Sequence, residues 1–194
     1  MKLCVFQGSF NPVHNAHLRV ADFVRENFDF DKILFIPAFC PPHKDLGLAQ
    51  HRLEMVKLAV KNYPAFEVSD IEYKRGGKSY TYLTIKELYE TFEIESPINF
   101  IIGTDAFEKI ESWYEADKLK KLVKFLVFIR EDNFDISRYD YLKENGYNFE
   151  FQSLPYKDIS STELRDKIKS GADIKEYVPE EVKEHIEKHG LYKS

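Results

Sequence analysis

Short apolar runs alternate along the chain with longer stretches in which apolar residues recur every three or four positions. Lys2 to Phe6 and Ile33 to Ile36 are continuous runs of strand length, and between them Leu18, Ala21, Val24 and Phe28 mark one face of a helix from about Asn15 to Asn27. Leu53, Val56, Leu58 and Val60 predict a second helix. Further along, the pattern predicts a mixed strand from Phe66 to Tyr73, a turn at Arg75-Gly76-Gly77-Lys78, a helix from about Tyr80 to Phe92 and a buried strand from Pro97 to Ile102. A polar helical stretch from Ala106 to Lys121 leads to the strongest strand, Val123 to Ile129. Tyr139 to Asn145 reads as a helix stopped by Gly146, and Tyr147 to Phe151 as a strand. Ser160 or Ser161 caps a helix running to Ser170, and Pro179 opens a last amphipathic helix to His189. Strand runs without internal alternation, separated by helices, predict a parallel sheet covered on both faces. The expectation is a single doubly wound, Rossmann-like α/β domain over 1–194, with no internal repeat or low-complexity tract.

Composition narrows the partners. With 194 residues, 43% hydrophobic, the chain has enough apolar material for an ordinary core. A net charge of −5 argues against a surface that grips nucleic acid throughout, and leaves room for a local basic pocket that takes small anions. No apolar stretch reaches the roughly 18 residues of a membrane span, and Gln7-Gly8 interrupts any signal-peptide core, so no membrane partner and a cytoplasmic location are expected. Cys4 and Cys40, the only two cysteines, form no disulfide framework and fit a reducing compartment. Oligomeric state is not readable; a homo-oligomer remains open.

The chemistry concentrates where strands end. Ligands of an open parallel sheet bind beyond the carboxyl ends of its strands, which is where Gly8-Ser9-Phe10-Asn11-Pro12-Val13-His14-Asn15-Ala16-His17 lies. Gly8 permits close approach to backbone amides, and the following helix aims its free N–H groups and positive dipole end at the same spot. His14 and His17, three apart, could cap or line the helix start, or donate to phosphate oxygens, where a nearby anion would favour their charged forms. A zinc site assembled from both with Cys40 and His43 is a rival reading, although its spacing matches no common structural zinc motif.

The stretch Gly8 to His17 resembles the nucleotidyltransferase motif G-[GS]-[ST]-F-[DN]-P-[IV]-H-x-[GA]-H typical of bacterial nicotinate-mononucleotide adenylyltransferases, with Ala16 where glycine is usual. Ile159-Ser160-Ser161-Thr162-Glu163-Leu164-Arg165, which alone reads as a capped helix, resembles the family's I-S-S-T-x-x-R segment. The resemblance implies that His14 and His17 are catalytic, serving the α-phosphate of ATP within a turn built from Gly8, Ser9 and Phe10. It also implies that Ser160, Ser161, Thr162 and Arg165 hold the outer phosphates, so that the carboxy-terminal part from about 160 completes the ATP site. Pro41-Pro42-His43-Lys44, otherwise a stiff surface loop, resembles a family segment in which His43 and Lys44 face phosphates.

Gly103 and Asp105, in a strand-end turn where Asp105 could simply cap a helix, correspond to the family's ribose-binding G-x-D. Arg130 ends the strongest strand, where it would flank the adenosine or be plain surface charge. Ser79-Tyr80-Thr81 resembles the family's P-S-Y-T segment, with Lys78 replacing the proline and Leu83 a later aspartate. Together with Trp113 and Tyr114, it would read the nicotinate ring by stacking and by backbone contacts; filling of the core is the other role open to Trp113. The implied reaction joins ATP and nicotinate mononucleotide into deamido-NAD and pyrophosphate, with Mg²⁺ carried by ATP and no dedicated protein metal site. The attacking group is already a phosphate anion, so no serine or cysteine nucleophile is needed. Pantetheine-phosphate adenylyltransferases, which usually carry threonine at the position of His14, and a non-catalytic nucleotide- or metal-binding module are the alternatives.

Overall fold

A computed structural model describes residues 1–43, 47–95, 97–154 and 159–194. Six strands form one parallel sheet: β1 (Leu3–Gly8), β2 (Lys32–Pro37), β3 (Phe66–Val68), β4 (Ile98–Gly103), β5 (Val123–Ile129) and β6 (Phe149–Ser153). They lie in the order β3-β2-β1-β4-β5-β6, so the chain first winds outward one way from β1 and then crosses over to wind the other way from β4. This is the doubly wound arrangement expected from the sequence.

Alternate residues of each strand enter opposite layers, which is why these strands are apolar throughout. Cys4, Phe6, Ile33, Phe35, Leu126 and Phe128 pack on one face with Leu18, Ala21 and Val24 of α1 (Asn15–Asn27), Val56 of α2 (Ala49–Val60), Leu164 of α8 (Ser161–Lys169) and Ile186 of α9 (Glu180–His189). Leu3, Val5, Leu34, Ile36, Phe125 and Val127 pack on the other with Ile71 of α3 (Ile71–Arg75), Ile85 of α4 (Thr81–Thr91), Phe107 of α5 (Thr104–Phe107), Leu119 of α6 (Ala116–Leu119) and Leu142 of α7 (Asp140–Glu144).

Three sequence expectations are corrected. The strand expected from Phe66 to Tyr73 stops at Val68, and Ile71–Arg75 is helical, which turns the Glu72 carboxylate into the interior. The single helix expected from Ala106 to Lys121 is three short pieces, α5, a 3-10 turn at Ile110–Ser112 and α6. Glu115 adopts φ 55°, a left-handed conformation through which no right-handed helix can run. The last strand starts at Phe149 rather than Tyr147, because Gly146 (φ 86°) and Tyr147 complete the turn after α7.

Candidate active site

The sheet opens at its switch point. β1 pairs with β4 at Cys4↔Asn99 and Val5↔Phe100, whereas β1 pairs with β2 as far as Gly8↔Pro37 and β4 with β5 as far as Gly103↔Phe128. Among the described residues the carboxyl ends of β1 and β4 therefore diverge, leaving a crevice between Gly8 and Gly103.

Residues 8–17 turn from β1 into α1 over this crevice. Gly8 fits because the Phe10 ring stands over it; a Cβ would lie 3.2 Å from that ring. Phe10 is itself buried, with φ 47°, and packs against Phe6, Phe35 and His17 at centroid distances of 5.4, 5.7 and 5.0 Å. Its side chain belongs to the core, so the turn offers its backbone to a ligand.

The two histidines cap α1 as a pair. Ala16 N–H donates to His14 Nδ1 (3.2 Å), His14 N–H donates to His17 Nδ1 (3.1 Å), and the ring centroids are 3.9 Å apart. An Nδ1 that accepts a hydrogen bond carries no proton, so each ring is neutral with its hydrogen on Nε2. Burial, the adjacent His14 ring and the Arg130 guanidinium hold His17 well below the ordinary histidine pKa. In the free protein the pair thus acts as neutral Nε2–H donors, rather than in the charged form that a bound anion would favour. The first turn of α1 contains no Asp or Glu, which leaves the positive end of its dipole uncompensated by an acid.

Other elements converge here. Arg165 Nη1 donates to Asn11 O (2.8 Å) and Nη2 to Thr162 Oγ1 (3.2 Å), while Ser161 Oγ donates to Pro12 O (3.1 Å). The start of α8 is thereby fixed against the turn that carries His14. Ser160 forms a reciprocal capping box with Glu163, so its hydroxyl is engaged in capping the start of α8. From β5, the exposed Arg130 side chain crosses Gly103, where a Cβ would lie 2.7 Å from its Nε. Asp105 is exposed and lies within α5, whose N-cap is Gly103. His43 is exposed in a turn, and Lys44 lies outside the described residues. Cys40 and His43 do not gather with His14 and His17 into a metal-ligand group among the described residues.

Sequence reasoning missed the groups that hold these loops. Arg52, 1% exposed, donates from Nη1 to Ser9 O (2.8 Å) and Ala38 O (2.6 Å), from Nη2 to Phe39 O (3.2 Å) and from Nε to Gly47 O (3.2 Å). Buried Glu72 accepts from Gln7 Nε2, Phe39 N–H (3.1 Å) and Thr84 Oγ1 (2.8 Å). The only hint was at Arg52, a cation four residues before Val56 on the apolar face of the expected second helix; Glu72 lay in a segment expected to be a strand and gave none.

The sequence pattern of the cytidylyltransferase-like family matches residues 5–167. A probable nicotinate-nucleotide adenylyltransferase of Fusobacterium nucleatum is 40% identical over 190 residues, covering 97% of this chain and 98% of that one; one from Clostridium tetani is 37% identical over 199 residues, covering 99% of each. The chain belongs to the nicotinate-nucleotide adenylyltransferase family. A solved structure of Plasmodium falciparum nicotinic acid mononucleotide adenylyltransferase complexed with NaAD superposes with a TM-score of 0.81 at 23% identity, covering 98% of this chain and 97% of that one. The same Plasmodium enzyme complexed with APC gives 0.77 at 25% identity, with 98% and 96% covered.

In this adenylyltransferase family member the segment expected to read the second substrate lies beside β1. Ser79 is buried and exchanges two bonds with Cys40: its N–H donates to Cys40 O (2.8 Å), and its Oγ accepts from Cys40 N–H (2.8 Å). It is a strut between loops. Thr81 Oγ1 donates to Gln7 Oε1 (2.7 Å), tying α4 to β1. Tyr80 stacks on the exposed Tyr114 at 4.5 Å and 28°. Trp113 is half-buried, edge-on to Phe100 at 6.2 Å, so part of its ring fills the core and part borders the surface.

Proposed function

We propose that the protein transfers the adenylyl group of ATP to nicotinate mononucleotide, giving deamido-NAD and pyrophosphate. The observation that carries this reading is the convergence of the His14/His17 cap, the Arg165 helix and the Gly103–Arg130 contact on the crevice at the switch point, in a chain whose near full-length relatives bear that activity in their names. The phosphate oxygen of the mononucleotide attacks the α-phosphorus of ATP, and the bond to the bridging oxygen of pyrophosphate breaks. The protein's task is alignment of two anions and stabilisation of the charge that spreads over the transferring group.

The His14 and His17 Nε2–H groups and the positive end of the α1 dipole serve the α-phosphate; the first-turn amides of α1, expected to be free, are engaged by His14 and by Tyr177 O. Gly8, Ser9 and Phe10 contribute the backbone of the turn, with the Phe10 ring packed over Gly8. Arg165, with Ser160, Ser161 and Thr162 at the start of α8, takes the leaving pyrophosphate, so residues from about 160 onward complete the ATP site. His43 and Lys44 assist there. Asp105 accepts from ribose hydroxyls next to Gly103, and Arg130 flanks the adenosine. Trp113, the Tyr80–Tyr114 stack and the backbone near Ser79 and Thr81 receive the pyridine ring and its carboxylate. Mg²⁺ enters as part of the MgATP substrate. No helix among the described residues is long and apolar enough to cross a membrane, and we place the enzyme in the cytoplasm with small phosphorylated partners rather than nucleic acid.

Pyrophosphate release from ATP, measured with nicotinate mononucleotide, nicotinamide mononucleotide and phosphopantetheine in parallel, tests this reading. Nicotinate mononucleotide is expected to give the highest kcat/KM. Turnover with phosphopantetheine alone, or with no acceptor of the three, overturns it.

A further inference from the structure

Away from the crevice, three of the six histidines meet where α9 packs on α2. His185 and His189 are four residues apart and so share one face of α9, while His51 comes from the first turn of α2. One ring nitrogen from each lies within 4.8 Å of the other two, and the ring centroids are 4.5, 4.8 and 5.2 Å apart. His51 Nδ1 and His185 Nε2 are 3.0 Å apart and share one hydrogen. Their described hydrogen bond and ring contacts are with one another.

We propose that His51, His185 and His189 bind one divalent transition-metal ion of the zinc type, which fastens α9 to α2. Two histidines at i and i+4 on a helix are a common way to present two imidazoles to one ion. Nitrogen ligands about 2.0–2.1 Å from a tetrahedral ion lie roughly 3.4 Å apart, so the three nitrogens need only side-chain adjustment to close on it. The hydrogen now shared by His51 and His185 moves to the outer nitrogen of its own ring when the ion takes its place. A set of three imidazoles selects Zn²⁺, Co²⁺ or Ni²⁺ over Mg²⁺, so the site is distinct in kind from the magnesium that travels with ATP. A fourth position is left for water. Glu54, one turn beyond His51, adds negative charge facing His185, whereas Lys188 opposes it.

The fastening has somewhere to lead. Beyond α9, Tyr192 donates its hydroxyl to Asn11 Oδ1 (2.8 Å), and on α2 the residue after His51 is Arg52, which holds Ser9. An ion at the three histidines would therefore join the two elements that grip the phosphate-binding turn from either side.

The test uses the full chain, stripped with chelator and titrated with Zn²⁺ and, separately, Co²⁺, following bound metal, melting temperature and the visible spectrum. One equivalent is expected to bind with a micromolar or tighter Kd. At a hundredfold excess over Kd, Tm should rise by about 5 to 10 °C, and Co²⁺ should develop the intense bands of a four-coordinate nitrogen site between about 500 and 650 nm. His189 is exposed, so His189→Ala should fold; it should weaken metal binding at least tenfold and remove those bands. The combined His51→Gln, His185→Gln and His189→Gln variant should bind none. Metal uptake that is weaker than about 10 μM in the parent, or that changes less than tenfold in His189→Ala, overturns the proposal, including the case in which His14, His17 or Cys40 takes the ion instead.

Discussion

The molecule holds two histidine groups that use the same side chain in opposite ways. His14 and His17, three residues apart at the head of α1, spend their Nδ1 atoms on the backbone N–H groups of Ala16 and His14, and so each is fixed as a single-hydrogen donor. His51, His185 and His189 meet side chain to side chain across two helices, where, among the described residues, their ring nitrogens face one another rather than the backbone. The first arrangement suits an anion, because what remains to offer is an N–H. The second suits a cation, because what remains is a lone pair. Spacing and place decide which: i to i+3 at a helix start puts one ring within reach of the other's backbone, whereas i to i+4 in the last turns of α9 sets both rings side by side on one face.

The strongest way to break the distinction is to remove the residue between the two groups. Arg52→Met leaves four carbonyls without their donor in the loops around Ser9 and Phe39 and should cost about 3 kcal/mol or more, a fall in Tm of roughly 6 to 12 °C for a chain of this size. Calorimetry checks this, and a change below 2 °C would show that the guanidinium holds nothing. Next in size is His17→Ala, which should lower turnover by about 10² to 10³ while costing about 1 kcal/mol of stability through the lost cap. His17→Asn sharpens the point by restoring an acceptor for the His14 N–H: it should recover the stability and not the turnover. Activity within tenfold of the parent in His17→Ala would take the ring out of the chemistry.

A control outside both groups is Trp113→Ala. It should raise the KM for nicotinate mononucleotide about tenfold with the KM for ATP nearly unchanged, the size expected for one lost aromatic contact; equal rises in both would assign the indole to packing alone. The smallest effect is on pH. The folded-state pKa of His17 is depressed, so the neutral ring's contribution to stability is fully present above about pH 6.5, the unfolded value, and is lost as pH falls and the unfolded chain takes up the proton. A single such histidine gives a slope of at most about 1.4 kcal/mol per pH unit. Denaturation at pH 7.5, 6.0 and 5.0 should show the decline, and His17→Gln should flatten part of it; identical slopes in both proteins would mean that the ring titrates alike folded and unfolded.

What could be read in the chain followed from local physics. α1 runs from Asn15 to Asn27 and β5 from Val123 to Ile129 as expected, since the apolar spacing of the helix and the unbroken run of the strand each admit one solution. The Gly8 and Ser161 segments were legible because a glycine turn and a serine cap carry their own geometry. Legibility failed where a distant partner decides. Ile71–Arg75 is helical around Glu72, whose partners Gln7 and Phe39 come from other parts of the chain, and nothing near position 72 announces them. Glu115 breaks the expected long helix by a backbone conformation that its residue type does not advertise. His51 and His185 are separated by 134 positions, so only the fold brings them together, although the pair at 185 and 189 was there to be noticed.

The bond from the Tyr192 hydroxyl to Asn11 ties the segment that follows α9 to the loop that follows β1. A contact that spans 181 positions closes a loop through nearly every strand and helix between its ends, so it forms only after the sheet and both helical layers are in place, and it reports on completion of the fold rather than on any local element.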